Sequence, residues 1–229
     1  MLRHPVITRF APSPSGPMHV GHLLAALSAR HLADLHGGRC VLRIEDIDPR
    51  AQDPRWLALM QQDLEWLGLP FDGDVMVQSR RFGLYEATLH RLRAQGLIYP
   101  CFCTRGAIRA QLRELGRAPH ATLGDIYPGT CRNLPPELVE ERLAAGEPHS
   151  WRLNMQRVQD LIGCPFWHDL RRGTQRCVPT LCGDVVLGRK DFPSSYHLAV
   201  VLDDAAQGVT LVTRGEDLFE ATHIHRALQ

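Results

Sequence analysis

Lysine is almost missing from this chain. Of its 26 Lys and Arg residues only Lys190 is a lysine, so nearly all the positive charge is guanidinium. Genome composition accounts for that as well as function does. The formal charge of +1 excludes a global pull toward nucleic acid, so a polyanionic partner must be met by local basic patches. No apolar run approaches the ~18 residues a membrane span needs. The start lacks the basic, apolar, small-residue order of a signal peptide. Without a secretion signal, the 7 cysteines at 40, 101, 103, 131, 164, 177 and 182 read as cytoplasmic thiols or metal ligands, not a disulfide framework. No internal repeat or low-complexity linker is found. The 229 residues suffice to bury a core in one or two domains.

What is present alternates. VITRFA (6–11) reads as a buried strand, followed by a helix over 21–36 that Gly37 and Gly38 close. CVLRIED (40–46) is a second apolar strand. Asp53 and Pro54 form an N-cap and first helical position for RWLALMQQDLEWL, and a further helix runs from Ser79 to Arg93. LIYPCFC (97–103) is extended, TRGAIRAQLREL helical, 116–132 a Gly/Pro/His-rich loop, and PPELVEERLAAG a short helix. SWRLNM, GCPFWHDL and GDVVLGRK read as strands, SSYHLAVVLDDA as a helix, VTLVTRG (209–215) as a buried strand, and EDLFEATHIHRAL as a final helix. Strands alternating with helices at both ends predict an α/β fold with a doubly wound parallel sheet. The expected boundaries are 1–96 and 181–229 for its two halves, with 97–180 inserted between them.

The stretch APSPSGPMHVGH (11–22) places three prolines before the first helix, which keep the chain extended. Gly16 and Gly21 allow close approach to the backbone. A strand, a glycine-bearing turn and a helix N-terminus together suit phosphates, although an ordinary βα turn has the same parts. In open α/β sheets the ligand lies at the carboxyl ends of the strands. Those ends carry Arg9-Phe-Ala-Pro-Ser13, Arg43-Ile-Glu45-Asp46-Ile-Asp48 and Arg214-Gly-Glu216-Asp217, beside His19 and His22. Arginines grip carboxylates in bidentate fashion and carboxylates hold ammonium groups, so the set suits an amino acid. Solvated strand-end charges pairing with one another would also give this pattern.

Cys101-Phe-Cys103 and Cys131 supply three corners of a zinc tetrahedron, with Tyr127 or His120 as the fourth; reduced, partly buried cysteines are the alternative. Arg105, Arg109, Arg113 and Arg117 recur every four residues along one helix face. That stripe could grip a phosphate backbone, and a solvated helix face looks the same.

APSPSGPMHVGH resembles the first signature of class I aminoacyl-tRNA synthetases, with His19-Val-Gly-His22 standing for their His-Ile-Gly-His. RFAPSPSG, RIEDID and YHLAVVLDD…VTRGEDL resemble the glutamate/glutamine branch, over nearly the whole chain. The Cys-x-Cys and Tyr-x-x-x-Cys pieces are similar to those of short paralogues of glutamyl-tRNA synthetase that lack an anticodon-binding domain. The resemblance implies a Rossmann-like catalytic domain with an inserted zinc-bearing, acceptor-contacting subdomain. It implies ATP-dependent, tRNA-independent conversion of L-glutamate to glutamyl-adenylate, with magnesium beside ATP, then transfer to the queuosine of tRNA-Asp. Carried over residue by residue, Arg9, Phe10, Ala11, Pro12, Ser13, Glu45, Tyr196 and Arg214 form the glutamate pocket. In that carry-over Glu45 holds the ammonium and Arg214 the side-chain carboxylate. His19, Gly21 and His22 take ATP, with His19 and His22 catalytic through the charge developing on phosphate. Cys101, Cys103, Tyr127 and Cys131 bind one structural zinc, and a cytoplasmic monomer is expected.

The class has a second, Lys-Met-Ser-Lys-Ser-like signature after the last helix, which the 229 residues do not reach. His197 stands where glutamyl-tRNA synthetases often have Asn. Two other readings fit the same residues: a catalytic fragment of an ordinary glutamyl-tRNA synthetase charging tRNA-Glu, or an idle glutamate- or RNA-binding module.

Overall fold

The computed structural model describes residues 5–114 and 126–229. The chain divides into two compact units, Met1–Phe82 with Leu202–Glu216, and Gly83–Val201 with Asp217–Gln229.

The first unit is built on β1 (Ile7–Phe10), α1 (Val20–Leu35), β2 (Arg39–Ile44), α2 (Pro54–Trp66) and the two-residue β3 (Met76–Val77). The strands form a parallel sheet in the order β1-β2-β3, with Ile7 opposite Arg39 and Arg43 opposite Met76. Parallel neighbours need crossover helices, which α1 and α2 supply. Helix α1 fits closely because Ala26, Ala29 and Ala33 are wholly buried, and their spacing puts them on one face. Phe10, Leu42, Ile44, Met60 and Leu64 fill the core around Ala26. The Gly37–Gly38 stop has a steric reason: a Cβ on Gly38 would lie 2.0 Å from the Val6 carbonyl oxygen. Asp53 caps α2 as expected, accepting from the Arg55 amide at 3.0 Å.

The reading of 209–215 as a buried strand does not hold. This segment lies along β1, but the Thr210 and Leu211 amides both donate to the single carbonyl of Ile7, at 2.9 and 3.1 Å. Two donors on one acceptor cannot extend a ladder, and Val212 is 41% exposed.

The second unit carries α3 (Phe82–Ala94, its first residue lying in the first unit), β4 (Ile98–Cys101), α4 (Arg105–Glu114), α5 (Pro136–Ala144), β5 (Ser150–Leu153), α6 (Met155–Ile162), β6 (Phe166–Asp169), β7 (Gly173–Arg176), β8 (Val186–Gly188), most of α7 (Tyr196–Ala206) and α8 (Ala221–Leu228). Its strands are antiparallel, in the order β4-β5-β8, with β6 and β7 as a separate hairpin. The parallel sheet is therefore a property of the first unit. Helix α6 replaces the end of the strand expected at 150–155. Asn154 caps it by accepting from the Arg157 amide at 3.1 Å, and Met155 and Val158 bury one face. The expected helix from Ser79 starts instead as a 3-10 turn over Gln78–Arg81, and that expected over 216–228 is split into a 3-10 turn at Glu216–Leu218 and α8.

Candidate active site and metal centre

The carboxyl ends of β1 and β2 converge on one buried ion network. Asp204 of α7 accepts from Arg9 Nε at 3.1 Å and from Arg43 Nη1 at 2.6 Å through the same Oδ1. Arg43 also donates to Glu45 at 3.0 Å and to Gln207 at 3.1 Å. Its side chain is 0% exposed, a position in which a guanidinium persists only because every side is met by acceptors. Arg9 Nη1 donates to the Thr213 carbonyl at 2.7 Å, which pins 209–213 beside β1. Two of Arg9's donor nitrogens are thus engaged. Neither of these bonds uses Nη2.

Glu45 is tied twice: its amide donates to the Pro12 carbonyl at 2.9 Å, and its carboxylate meets Arg43. Burial pushes the Glu45 carboxyl above the ordinary range, against the pull of Arg43 and Arg9. Asp46 is buried and accepts from the Ser79 amide at 2.8 Å and its hydroxyl at 2.6 Å. The neighbouring Asp203 is fully buried and takes Gln78 and Arg81, each at 2.8 Å. Sequence reasoning placed Arg43 among the converging strand-end charges but gave no role to Asp203, Asp204, Gln207, Gln78 or Arg81. The signal was the Asp203-Asp204 pair at the end of an otherwise apolar helix.

Of the expected glutamate-site residues, Phe10 sends its ring into the core against Phe71, centroids 6.0 Å apart. Pro12 is buried and Ser13 exposed, with Ala11 between these extremes. Arg214 is half-buried in the first unit, next to Thr213. Tyr196 belongs to the second unit, where its ring lies 5.4 Å from His197 and 5.5 Å from His225. His197 and His225 share a 3.2 Å ring-nitrogen hydrogen bond.

His19 is the N-cap of α1. Its Nδ1 accepts from the Gly21 amide at 3.1 Å, while His22 Nδ1 accepts from the His19 amide at 3.2 Å. This reciprocal cap satisfies two orphan donors of the helix start. It also fixes chemistry: with both Nδ1 atoms accepting, a neutral ring carries its proton on Nε2. Both histidines then present Nε2–H donors at a helix N-terminus. Burial, and then the neighbouring His19, lowers the His22 pKa and favours that neutral form. Gly21 serves the cap directly, since a Cβ there would meet the His19 ring at 2.9 Å.

In the second unit, Cys101, Cys103 and Cys131 place their sulfurs within 4.8 Å of one another. Cys103 and Cys131 are 3.5 Å apart, close to the ~3.8 Å between thiolates on a tetrahedral zinc with Zn–S of ~2.3 Å. The Tyr127 hydroxyl is 3.6 Å from Cys103 Sγ and accepts from the Cys131 amide at 2.8 Å. The Arg152 guanidinium lies 3.8 Å over the Tyr127 ring. Burial would raise the Cys101 thiol, but hydrogen bonds with Tyr127 and Arg152 bring it below its ordinary value. Cys103 is pushed up to about 11 by burial and by the neighbouring sulfurs, Cys131 first. Burial and the surrounding sulfurs raise the Tyr127 phenol too. Three clustered sulfurs with a guanidinium for the surplus charge fit a metal ion. His120, the other fourth-ligand possibility, lies outside the described residues, as does Arg117. Arg105, Arg109 and Arg113 are exposed on α4, whose Leu112 is buried.

Residues 5–229 match the family model for the catalytic domain of class I tRNA synthetases (E and Q). A glutamyl-Q tRNA(Asp) synthetase of Rhodobacter capsulatus is 46% identical, covering 98% of this chain and 81% of that protein. The one of Geobacter sulfurreducens is 43% identical, covering 98% and 67%. A glutamate tRNA ligase from Elizabethkingia meningosepticum, solved in complex with its amino acid, superposes with a TM-score of 0.81 at 28% identity. That match covers 98% of this chain and 46% of the ligase, so the chain spans under half of the solved protein. The chain belongs to the catalytic-domain family of the class I tRNA synthetases for glutamate and glutamine, in its glutamyl-Q tRNA(Asp) synthetase branch.

Proposed function

We propose that the chain activates L-glutamate with ATP, without tRNA, and passes it to the queuosine at the wobble position of tRNA-Asp. The observation that carries this reading is the Arg9–Arg43–Glu45–Asp204 network, at the ends of the same β1 and α1 region that presents two Nε2–H histidines. A carboxylate oxygen of glutamate attacks the α-phosphorus of ATP and pyrophosphate leaves. A queuosine hydroxyl then attacks the acyl carbon and AMP leaves. Arg9 and Ser13 hold the amino acid, Glu45 its ammonium and Arg214 its side-chain carboxylate, with the 10–12 backbone completing the pocket. His19 and His22 donate to phosphate oxygens as negative charge builds, which is catalysis by positioning and electrostatics. Magnesium, arriving with ATP, would neutralise phosphate charge. Zinc held by Cys101, Cys103, Tyr127 and Cys131 would be structural, shaping an acceptor-contacting insertion over 97–180, and Arg105, Arg109, Arg113 and Arg117 would meet RNA phosphates. A cytoplasmic monomer completes the proposal.

The test is glutamate-dependent ATP–pyrophosphate exchange without tRNA, followed by transfer to tRNA-Asp with and without queuosine. Exchange without RNA, and transfer confined to the queuosine-bearing tRNA, are expected. Exchange that needs tRNA-Glu would make this an ordinary glutamyl-tRNA synthetase domain. Glutamate binding with no exchange under either condition would make it a binding module.

A further inference from the structure

The second unit holds a cleft of about 320 Å³ that neither the glutamate site nor the cysteine cluster uses. Helix α3 lines it with Glu86, Leu89, His90 and Arg93, β5 with Trp151, and the loop after β8 with Arg189 to Pro193; His149 is also in its wall. Its size is near the bottom of the ~300–1,000 Å³ range of ligand pockets, enough for one nucleotide rather than an extended cofactor.

Its chemistry is guanidinium on aromatic faces. Arg93 sits 5.1 Å over the Trp151 ring and Arg189 4.5 Å over Phe192. Arg189 spends Nε and Nη2 on Asp191, whereas a guanidinium stacked as Arg93 is can offer in-plane N–H donors to an anion. The one lysine of the chain, Lys190, donates to the Phe102 carbonyl at 3.1 Å, and an ammonium has two further donors. His149 meets Trp151 edge-on at 5.0 Å. Its Nδ1 lies 3.0 Å from the Glu147 carbonyl, which leaves Nε2 as the acceptor of a neutral ring. Of the two carboxylates, Asp191 is paired with Arg189 at 3.2 Å and Glu86 is exposed on α3. The backbone is shaped for the cleft as well: a Cβ on Gly188 would meet Leu89 at 2.8 Å and Trp151 at 3.1 Å.

We infer that this cleft takes one unstacked nucleotide of the RNA substrate, its base against the aromatic side chains and its phosphate on Arg93 and Lys190. Aromatic and guanidinium planes stack any base, and the cations supply the backbone contact. The inference rests on the reading of the chain as an enzyme that acts on RNA.

Its test uses the intact chain with Arg93→Gln, Lys190→Gln, Lys190→Arg and Phe192→Leu variants. The probes are a stem-loop RNA copying the anticodon arm of tRNA-Asp, followed by fluorescence anisotropy across a salt series, and inorganic tripolyphosphate as competitor. Each Gln variant should flatten the log–log salt dependence by about 0.7, the amount expected for one single-strand phosphate contact. Phe192→Leu should weaken RNA binding about tenfold, and Lys190→Arg, which keeps the charge that Lys190→Gln removes, should bind RNA as the wild type does. Glutamate-dependent exchange without RNA should stay at the wild-type level in all four. Gln and Leu variants that bind RNA as the wild type does, beside normal exchange, would overturn the cleft and leave the proposed activity standing. Wild-type protein without exchange, whose variants nonetheless lose RNA, would overturn the activity and leave the cleft standing. A wild type that does not bind the stem-loop, or a silent Phe192→Leu with full displacement of RNA by tripolyphosphate, would overturn the nucleotide assignment.

Discussion

Asp204→Asn is the perturbation that separates a structural charge network from surface pairing. The residue offers one oxygen to two arginines, Arg9 at 3.1 Å and Arg43 at 2.6 Å, whose side chains are 7% and 0% exposed. Asparagine keeps the shape and one acceptor but removes the charge, leaving Arg43 with Glu45 at 3.0 Å. Breaking a buried pair costs about 3–5 kcal/mol. The surviving Glu45 contact sets the expectation at the lower end, about 3 kcal/mol. A domain of this size loses roughly 2–4 °C of Tm per kcal/mol, so thermal unfolding should show a drop of about 6–12 °C. Asp34→Asn is the control: Asp34 pairs with Arg30 but its side chain is 58% exposed, and such pairs contribute about 0–1 kcal/mol. The double variant Arg43→Met with Asp204→Leu should not recover the loss, because it leaves the largely buried Glu45 and Arg9 without these partners. A Tm for Asp204→Asn within 2 °C of the wild type, in the range of the Asp34→Asn control, would refute the reasoning.

Gly38→Ala should lower the Tm by several degrees through its 2.0 Å collision with the Val6 carbonyl, whereas Gly16→Ala, with nothing within 4 Å, should be nearly silent. Gly21→Ala should displace the His19 ring 2.9 Å away; the expected result is weaker ATP binding with a stability cost near that of a lost cap, about 1 kcal/mol. Protein prepared without chelator should carry one zinc by elemental analysis, and Cys131→Ser should release it and lower the Tm of the second unit; absence of bound metal would sink the ligand set. The Glu45 carboxyl is raised by burial, so the folded state holds its proton longer than the unfolded chain does. Stability from this group is therefore complete below its ordinary pKa of 4.5 and lost as pH rises through the folded value. Urea titrations of Glu45→Gln should show a flatter decline in that window, and an unchanged slope would count against it.

The local half of this architecture was legible in the sequence. Three prolines and Gly16 ahead of an apolar helix mark where α1 starts, and Asp53-Pro54 marks α2, because caps and fixed φ angles act within a few residues. The Cys101, Cys103 and Cys131 grouping was legible too, since thiolate spacing carries its own chemistry. Segment 209–215 misled because its Val/Leu/Thr run has the composition of a strand, while strand formation also needs a ladder, and both amides went to Ile7 instead. Helix α6 was hidden in a run whose start reads as β, although Asn154 was a capping signal. The ion network left no local trace: Arg9 and Asp204 are 195 positions apart, and Arg43 and Asp204 are 161 apart.

Those two halves meet at Pro12 and Glu45. The prolines that keep residues 11–17 out of a helix also deprive that segment of amide donors, so it must be held through its carbonyls. The Glu45 amide does this at the end of β2, donating to the Pro12 carbonyl at 2.9 Å. The same residue's carboxylate is held by Arg43, and Arg43 is held by Asp204, which in turn orients Arg9. Any motion of the turn that leads to His19 and His22 therefore disturbs Glu45, and any loosening of Asp204 is felt at Arg9 and Arg43 together. For the activity proposed, which places a carboxylate against a phosphate, tolerance for displacement is about 1 Å. A fully buried arginine, costly to desolvate and of little net value to stability when paired, is accounted for by that requirement for fixed geometry rather than by stability.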